Sequence, residues 1–295
     1  MKSWFLLIKE RFPLGNYLPM VTVFALANVS VARTFETGAV FEWPKLLLIW
    51  CLTLSFFFRL RLFDELKDIE VDKINNPTRP LARGLIAIPQ VKTVIGILIF
   101  LELLASFLIG RNAFIIQLIA VGYSLLMYKE FFLGKFIRPH LTLYAVTHTA
   151  VSILLGYCII AQFSKTAFWL FSVETLLFGL VNWSLFNLFE FARKTFAKEE
   201  ESPTSDSYSK LYGSVGAFLL TVSQSAIAIF LLYRIAGISI YFWIHIGLLV
   251  FLLILSLSYI IGGKAKFYRL AWSIYIILFY LVVIGMFNEE TLAWL

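Results

Sequence analysis

Three aspartates repeat at intervals of four residues near the end of an apolar segment, in FFFRLRLFDELKDIEVDKINNPTRPLARG at residues 56–84. No Gly or Pro interrupts residues 56–76, which predicts a helix that continues from the apolar segment through Asp72. Each step of four residues turns a helix about 40° beyond a full turn, so Asp64, Asp68 and Asp72 share one face. Neighbouring carboxylates repel one another, and a bound divalent cation relieves that repulsion. Mg²⁺ suits such a site because it keeps water ligands and accepts phosphate oxygens.

A basic loop follows the acidic stretch. Pro77 and Pro80 restrict its backbone, and Arg79 and Arg83 lie beside them. An acidic helix face followed by a tight basic loop is typical of a site that binds a metal and a diphosphate. The alternative is a solvated helix end, in which the interleaved lysines such as Lys67 are ordinary salt-bridge partners. Attachment to an apolar, membrane-like segment favours the metal–diphosphate interpretation.

The stretch resembles the first aspartate-rich motif of the UbiA superfamily of intramembrane prenyltransferases, N-D-x-x-D-x-x-x-D followed by an R-P-L-x-x-G-type loop. Asp68 and Asp72 match the last two acidic positions, whereas Asp64 stands at the Asn and Glu65 at the first Asp. The loop residues that match are Arg79, Pro80, Leu81 and Gly84. The resemblance implies that Asp64, Asp68 and Asp72 are catalytic ligands of Mg²⁺ and that Arg79 binds the diphosphate. The two substitutions mark a divergent member.

The sixth apolar segment ends with FNLFEFARK, where the superfamily carries a second acidic motif, commonly D-x-x-x-D. Glu190 stands at the first acidic position, and Lys194 replaces the second, next to Arg193. The resemblance implies Glu190 as a catalytic metal ligand, with fewer metal ligands on this side than is usual. Arg193 and Lys194 would then contact diphosphate oxygens directly, as cations do in phosphoryl sites. The acidic residues at 199–201 and 206 are either substitute ligands or an exposed loop.

A further diphosphate contact is expected after the fourth apolar segment, in YSLLMYKE at residues 123–130. The superfamily often has a Tyr here and, four residues later, a Lys that together hold the diphosphate. Tyr123 matches the Tyr, but residue 127 is Met, which leaves Lys129 or Tyr128 for the second contact. A plain interfacial anchor is an equal interpretation of Lys129.

The composition is that of a polytopic membrane protein. The 295 residues are 60% hydrophobic and 15% charged, with a mean hydropathy of +0.86. Residues 1–16 predict a short amphipathic helix in the membrane interface. Nine apolar segments follow, near residues 17–34, 44–63, 91–109, 113–128, 140–161, 166–189, 214–233, 239–261 and 267–287. We therefore predict one all-α domain over residues 1–295. By resemblance to the UbiA superfamily, its nine transmembrane helices surround a central cavity.

The Lys and Arg residues fall mainly on one side of the predicted bundle. Of the 25, 20 lie in the N-terminus and in the loops after even-numbered segments, where the loop after the second segment is counted as residues 59–92 and includes Arg59, and 5 lie on the opposite side. Positive charges favour the cytoplasmic side, so the N-terminus and both acidic motifs are expected in the cytoplasm. Topology and anionic lipid then explain the net charge of +7, which argues against nucleic acid as a partner. We expect a multi-pass protein of the bacterial inner membrane.

These features together predict a Mg²⁺-dependent prenyltransferase. An isoprenyl diphosphate would lay its tail between the helices. Mg²⁺ and Arg79 would neutralise the leaving diphosphate, so that the C–O bond ionises to an allylic cation. An acceptor would then attack that cation, from which the helices exclude water. The sequence leaves the acceptor open, aromatic compounds included, and likewise the length of the prenyl chain.

Other functions stay open at this stage. A membrane terpene cyclase would use the same ionisation without an external acceptor, and a non-catalytic relative would keep the fold and lose catalysis through the change at Lys194. A small-molecule transporter would have helices broken by Gly or Pro near the middle of the membrane. The eight prolines instead lie almost wholly at segment ends. A CDP-alcohol phosphotransferase would carry a D-G-x-x-A-R motif, and the sequence has none.

Overall fold

The computed structural model describes residues 2–201, 206–262 and 265–288. Over these residues the regular structure is helical, without strands, and nine segments are long and apolar enough to cross a membrane. The predicted all-α fold with nine spans is therefore confirmed.

The described residues form thirteen α-helices. Their bounds are α1 Lys2–Arg11, α2 Leu14–Phe35, α3 Trp43–Lys67, α4 Ile69–Asn75, α5 Ile88–Ile109, α6 Arg111–Tyr128, α7 Gly134–Ile137, α8 Leu141–Thr149, α9 Val151–Phe163, α10 Val173–Arg193, α11 Tyr208–Ala236, α12 Ile240–Gly262 and α13 Ala265–Met286. The spans are α2, α3, α5, α6, the pair α8–α9, α10, α11, α12 and α13. The sixth span starts later than predicted, because residues 168–170 form a separate 3₁₀ turn before it.

The N-terminal helix α1 lies against the end of the bundle that carries the acidic motif. Its Leu7 is fully buried in a small apolar cluster with Leu62, Phe63 and Leu81, whereas Phe5 is 70% exposed. One face of α1 therefore packs on α3 and the loop after α4, and the other is open to the membrane interface.

The second span bends where the acidic motif begins. Because α3 ends at Lys67 and α4 starts at Ile69, the prediction of one continuous helix through Asp72 is wrong. Asp68 lies at the bend with φ −90° and ψ −2°, although its N–H still donates to the carbonyl of Asp64 at 2.9 Å. Asp disfavours a helix interior because its short side chain competes for nearby backbone groups. The bend places Asp72 on a separate short helix.

The fifth span is divided at Ala150 into α8 and α9. The three preceding side chains all bond to carbonyls of their own helix: Thr147 to Leu143, His148 to Tyr144 and Thr149 to Ala145, at 2.7–3.0 Å. Such back-bonding bends helices because it competes with the main-chain ladder. The polar run therefore explains the break, which a hydropathy pattern over residues 140–161 does not show.

Two polar networks tie the spans together at depth. Asn182 donates to Asn28 at 2.9 Å and accepts from Tyr280 at 3.0 Å, which joins α10, α2 and α13. Arg59 of α3 donates to Glu102 of α5 at 2.9 Å, and both side chains are fully buried. Buried charges are costly in a membrane unless they are paired. This ion pair therefore fixes α3, the helix that carries the first acidic motif, against α5.

Candidate functional site

In the first acidic motif, the carboxylates of Asp64 and Asp68 are exposed and that of Asp72 is buried. The Asp64 side chain is 55% exposed, and its shortest ion pair is with Arg61 at 3.9 Å. Asp68 is also exposed, and its carboxylate forms no salt bridge with any described residue. Asp72, in contrast, is buried and ion-paired with Arg79. Asp64 and Asp68 are thus the two carboxylates that stay available to a ligand.

Glu65 is turned away from this open face. Its side chain is 1% exposed and accepts from Arg11 at 2.6 Å and from Arg61 at 3.0 Å. Arg11 is the last residue of α1, so its ion pair with Glu65 attaches the N-terminal helix to α3. The contacts with two guanidinium groups give Glu65 a structural role.

The second acidic motif lies near the first, and its carboxylate is paired with cations from the same end of α10. Glu190 is paired with Arg193 at 2.5 Å and with Lys194 at 3.2 Å. Arg193 also lies within electrostatic range of Asp64 and of the Tyr17 hydroxyl. The end of α10 therefore brings Arg193 near Asp64, with Glu190 and Lys194 next to that arginine.

The electrostatics of Asp68 reflect the protein atoms and the charges around its carboxylate. The protein atoms around it and the charge of Asp72 both raise the pKa of Asp68 above its ordinary value, and Lys67 and Arg61 only partly oppose them. Desolvation and a neighbouring like charge both disfavour the carboxylate. A bound cation would remove that penalty.

Two carboxylates one helical turn apart fit a single Mg²⁺, which takes its remaining ligands from water and from substrate phosphates. Within the described part of the chain no group of three or more His, Cys, Asp or Glu side chains converges as a metal site. Asp72 and Glu190 are engaged by cations instead. The donor set therefore fits one Mg²⁺ at Asp64 and Asp68.

Below the motifs the interior is aromatic. Phe57 and Phe186 are stacked with ring centroids 5.8 Å apart, and Phe24 meets Phe186 edge-on at 5.5 Å. Phe57 lies two helical turns before Asp64, and Phe186 one turn before Glu190, which puts the pair about 6–10 Å deeper along the helices. Both rings are half-buried, so they can contact an apolar tail that enters between α3 and α10.

Sequence and structure comparisons decide the family. The profile of the UbiA prenyltransferase family matches residues 25–288, which is most of the chain. The chain belongs to the UbiA prenyltransferase family. No curated protein matches the sequence significantly. Family membership supports intramembrane prenyl transfer in general.

Two solved structures share the UbiA fold of this chain. A structure of a digeranylgeranylglyceryl phosphate synthase has a TM-score of 0.65 and 16% identity, over 98% of this chain and 100% of that one. The apo structure of a UbiA homologue from Aeropyrum pernix K1 has a TM-score of 0.66 and 13% identity, over 92% of this chain and 98% of that one. At these identities the similarity shows the fold.

The remaining residues predicted from the resemblance to the UbiA superfamily have different surroundings in the structure. The Tyr123 hydroxyl donates to the Thr147 carbonyl at 2.6 Å, so it connects α6 to α8. Lys129 is exposed, with its ammonium 5.2 Å from the ring centroid of Tyr128. Of the acidic loop after α10, Glu200 pairs with Arg269 at 2.7 Å.

Several residues of the site were not found by sequence reasoning. Lys67 donates to the Tyr144 hydroxyl at 2.9 Å and lies 3.7 Å from Glu130. Arg138 donates to the same glutamate at 2.5 Å. Burial raises the pKa of Glu130, but the hydrogen bond from Arg138 and the charge of Lys67 outweigh it and lower that pKa overall. Only Lys67 carries a sequence signal, its position between Asp64 and Asp68.

Glu130 stands in an unusual backbone. Glu130, Phe131 and Phe132 all have positive φ, at +51°, +53° and +57°. Left-handed backbone costs non-glycine residues about 1–2 kcal/mol each, so this turn carries strain of roughly 3–6 kcal/mol. Gly134 lies directly beneath the carboxylate, where a Cβ would come within 2.3 Å of Glu130 Oε2. Strained backbone persists when its surroundings fix it, and it is common at functional sites.

Proposed function

We propose that this chain is a Mg²⁺-dependent intramembrane prenyltransferase, which moves an isoprenyl group from a prenyl diphosphate to an acceptor and releases diphosphate. The observation that carries the proposal is the juxtaposition of two available carboxylates, Asp64 and Asp68, with the cations at the end of α10, above an aromatic floor. This arrangement matches a substrate with an anionic head and an apolar tail.

Asp64 and Asp68 would hold Mg²⁺ together with oxygens of the diphosphate. When bound, the ion would neutralise charge on the leaving group, as Mg²⁺ does in phosphoryl chemistry. Asp72 has a different role, because it holds Arg79 at the edge of the site. Arg79 would donate to a diphosphate oxygen from this position.

The second motif would act through its cations. Glu190 orients Arg193 and Lys194, which can each donate to the diphosphate while keeping a bond to the carboxylate. The C–O bond then breaks, its electron pair stays on the diphosphate, and an allylic cation is left. The faces of Phe57 and Phe186 would stabilise that cation, since aromatic rings attract positive charge. The acceptor forms the new bond and loses a proton.

The distribution of Lys and Arg supports a cytoplasmic position for this end of the bundle. A prenyl diphosphate would then enter with its head at the inner surface and its tail in the bilayer. Helix walls would exclude water, which would otherwise quench the cation. We propose the bacterial inner membrane as its location, with the N-terminus in the cytoplasm on the same charge asymmetry.

The test is Mg²⁺-dependent release of diphosphate from prenyl diphosphates of several lengths by the purified protein. Asp68→Ala should abolish that release. Glu70→Gln is the matched control, because Glu70 is 78% exposed on the adjacent helix and pairs only with Lys73 among the described residues. Release that continues unchanged in Asp68→Ala would remove the residue from the site.

The same assay separates transfer from cyclisation. Diphosphate release that requires a membrane extract indicates an acceptor in the extract, and an alkylated product should then be found in the lipid phase. A hydrocarbon or cyclic alcohol formed without extract would instead show a terpene cyclase.

A further inference from the structure

A second cationic group lies on the side of the acidic motif opposite to α10. Lys67 leaves α3 one residue before Asp68, and its side chain is 10% exposed. Its ammonium is held between the Tyr144 hydroxyl of α8, at 2.9 Å, and Glu130, at 3.7 Å. Lys67 also lies within electrostatic range of both Asp64 and Asp68. The ammonium is therefore fixed beside the two carboxylates that stay available to a ligand.

The group keeps unused hydrogen-bond donors. The Tyr144 hydroxyl accepts from Lys67, and its own hydrogen has no acceptor among the described residues. An ammonium has three hydrogens, and among the described residues only the Tyr144 hydroxyl accepts one of them, whereas Glu130 at 3.7 Å is an ion-pair partner beyond hydrogen-bond distance. The Tyr144 ring is stacked on His148 at 3.9 Å, which fixes the direction of its hydroxyl. Two N–H groups of Lys67 and the O–H of Tyr144 thus remain for an anion.

The charges around the group favour an anion once Mg²⁺ is bound. Lys67 and Arg138 share one carboxylate, Glu130, among the described residues, so these three side chains carry one net positive charge. Asp64 and Asp68 add two negative charges beside Lys67, which a bound Mg²⁺ would neutralise. The strained turn at residues 130–132 holds that carboxylate in place, with Gly134 leaving room beneath it. Strain that is kept next to a site points to a position that function requires. Through Glu130, the strained turn keeps the ammonium of Lys67 beside Asp64 and Asp68 without an ion pair to either aspartate.

We propose that Lys67 and Tyr144 form an anion-binding site for a phosphate group of a substrate, with Glu130 and Arg138 as positioning residues. The inference rests on the proposed function, since it concerns the surroundings of the same two aspartates. The phosphate belongs either to the diphosphate of the prenyl donor or to an anionic headgroup of the acceptor. In both cases the phosphate oxygens accept from the ammonium and from the tyrosine hydroxyl.

The test is ligand binding by calorimetry on the purified full chain. One arm uses inorganic pyrophosphate with Mg²⁺, and the other uses inorganic phosphate added after saturation with Mg²⁺ and pyrophosphate. Lys67→Met should weaken one of the two by about 10- to 100-fold, as expected for loss of a charge-assisted hydrogen bond. Tyr144→Phe keeps the stacking on His148 and should weaken the same arm several-fold.

Lys73→Met is the matched control, because it removes the same charge from an exposed lysine of α4 that pairs with Glu70. A loss in the pyrophosphate arm assigns the site to the donor, and a loss confined to the phosphate arm assigns it to the acceptor. The inference would be overturned if Lys67→Met and Lys73→Met had equal affinities in both arms. The contact of Lys67 with Tyr144 would then only connect α3 to α8. If the wild-type chain binds no pyrophosphate with Mg²⁺, the proposed function fails, and the phosphate arm, then run without pyrophosphate, still decides the inference.

Glu130→Gln tests the positioning role separately. It keeps the size of the side chain and removes the counter-charge, so the ammonium of Lys67 can turn toward Asp64 or Asp68. We expect the KM for the weakened substrate to rise with little change in kcat, as for loss of uniform binding. A fall in kcat at constant KM would contradict a role in holding Lys67.

Discussion

Replacing Glu102 by Leu is expected to destabilise the bundle strongly, because it leaves a buried guanidinium without a counter-charge. Arg59 is fully buried and donates to both carboxylate oxygens of Glu102, from Nη2 to Oε2 at 2.9 Å and from Nε to Oε1 at 3.2 Å. It also donates to Ser124 at 2.7 Å, a bond that cannot neutralise it. Breaking one side of a buried ion pair costs about 3–5 kcal/mol. At about 2–4 °C per kcal/mol, the melting temperature should fall by about 6–20 °C.

The double variant Arg59→Met/Glu102→Leu separates charge from packing. It removes both charges and keeps apolar volume, so it should recover most of the stability that the single variant loses. Thermal unfolding of detergent-purified protein, followed by intrinsic fluorescence, measures all three proteins, and the exposed-site variant Glu70→Gln serves as a control. A double variant as unstable as Glu102→Leu would refute the reasoning, since an uncompensated charge would then not be the cause.

Three further predictions concern the site. Diphosphate release should fall as the pH drops through the raised pKa of Asp68, because the protonated acid does not bind Mg²⁺. Asp72→Asn removes one cause of the raised pKa, so the fall in activity at acidic pH (the acid limb) should move to lower pH. An acid limb that stays in place in a pH–rate profile would contradict that. Lys194→Asp restores the usual second motif and should increase the dependence of activity on Mg²⁺ concentration while activity continues, and indifference to the change would count against a direct contact of Lys194 with diphosphate. Phe186→Ala opens the aromatic floor and should shift the preference in kcat/KM toward longer prenyl diphosphates by several-fold, whereas an unchanged order of substrates would show that the tail does not reach this ring.

The spans could be predicted from the sequence because hydropathy depends on residues that are close in the chain. Each of the nine predicted segments overlaps one of the nine described spans. The breaks could not be predicted in this way. The bend at Asp68 and the break at Ala150 depend on how polar side chains compete for backbone groups, which an average over a span does not resolve. Arg59, which the charge count assigned to a loop, is buried in the bundle because Glu102 neutralises it.

The positions of the acidic motifs could be predicted from spacing, but the partner of each carboxylate could not. Spacing treats Asp64, Asp68 and Asp72 alike, whereas the structure pairs Asp72 with Arg79 and leaves the other two exposed. Pairing depends on where loops return, as the contact of Lys67 with Glu130 shows. These two residues lie far apart in the chain, and no local pattern relates them.

The most direct test of the proposed metal site is Mn²⁺ binding, with Mn²⁺ in place of Mg²⁺ and electron paramagnetic resonance as the readout. We expect the purified chain to bind one Mn²⁺, more tightly when a prenyl diphosphate is present. We also expect the Asp64→Asn/Asp68→Asn variant to lose this binding and Glu190→Gln to retain it. Equal Mn²⁺ binding by the Asp64→Asn/Asp68→Asn variant, or its loss in Glu190→Gln alone, would contradict the claim that these two aspartates hold the metal.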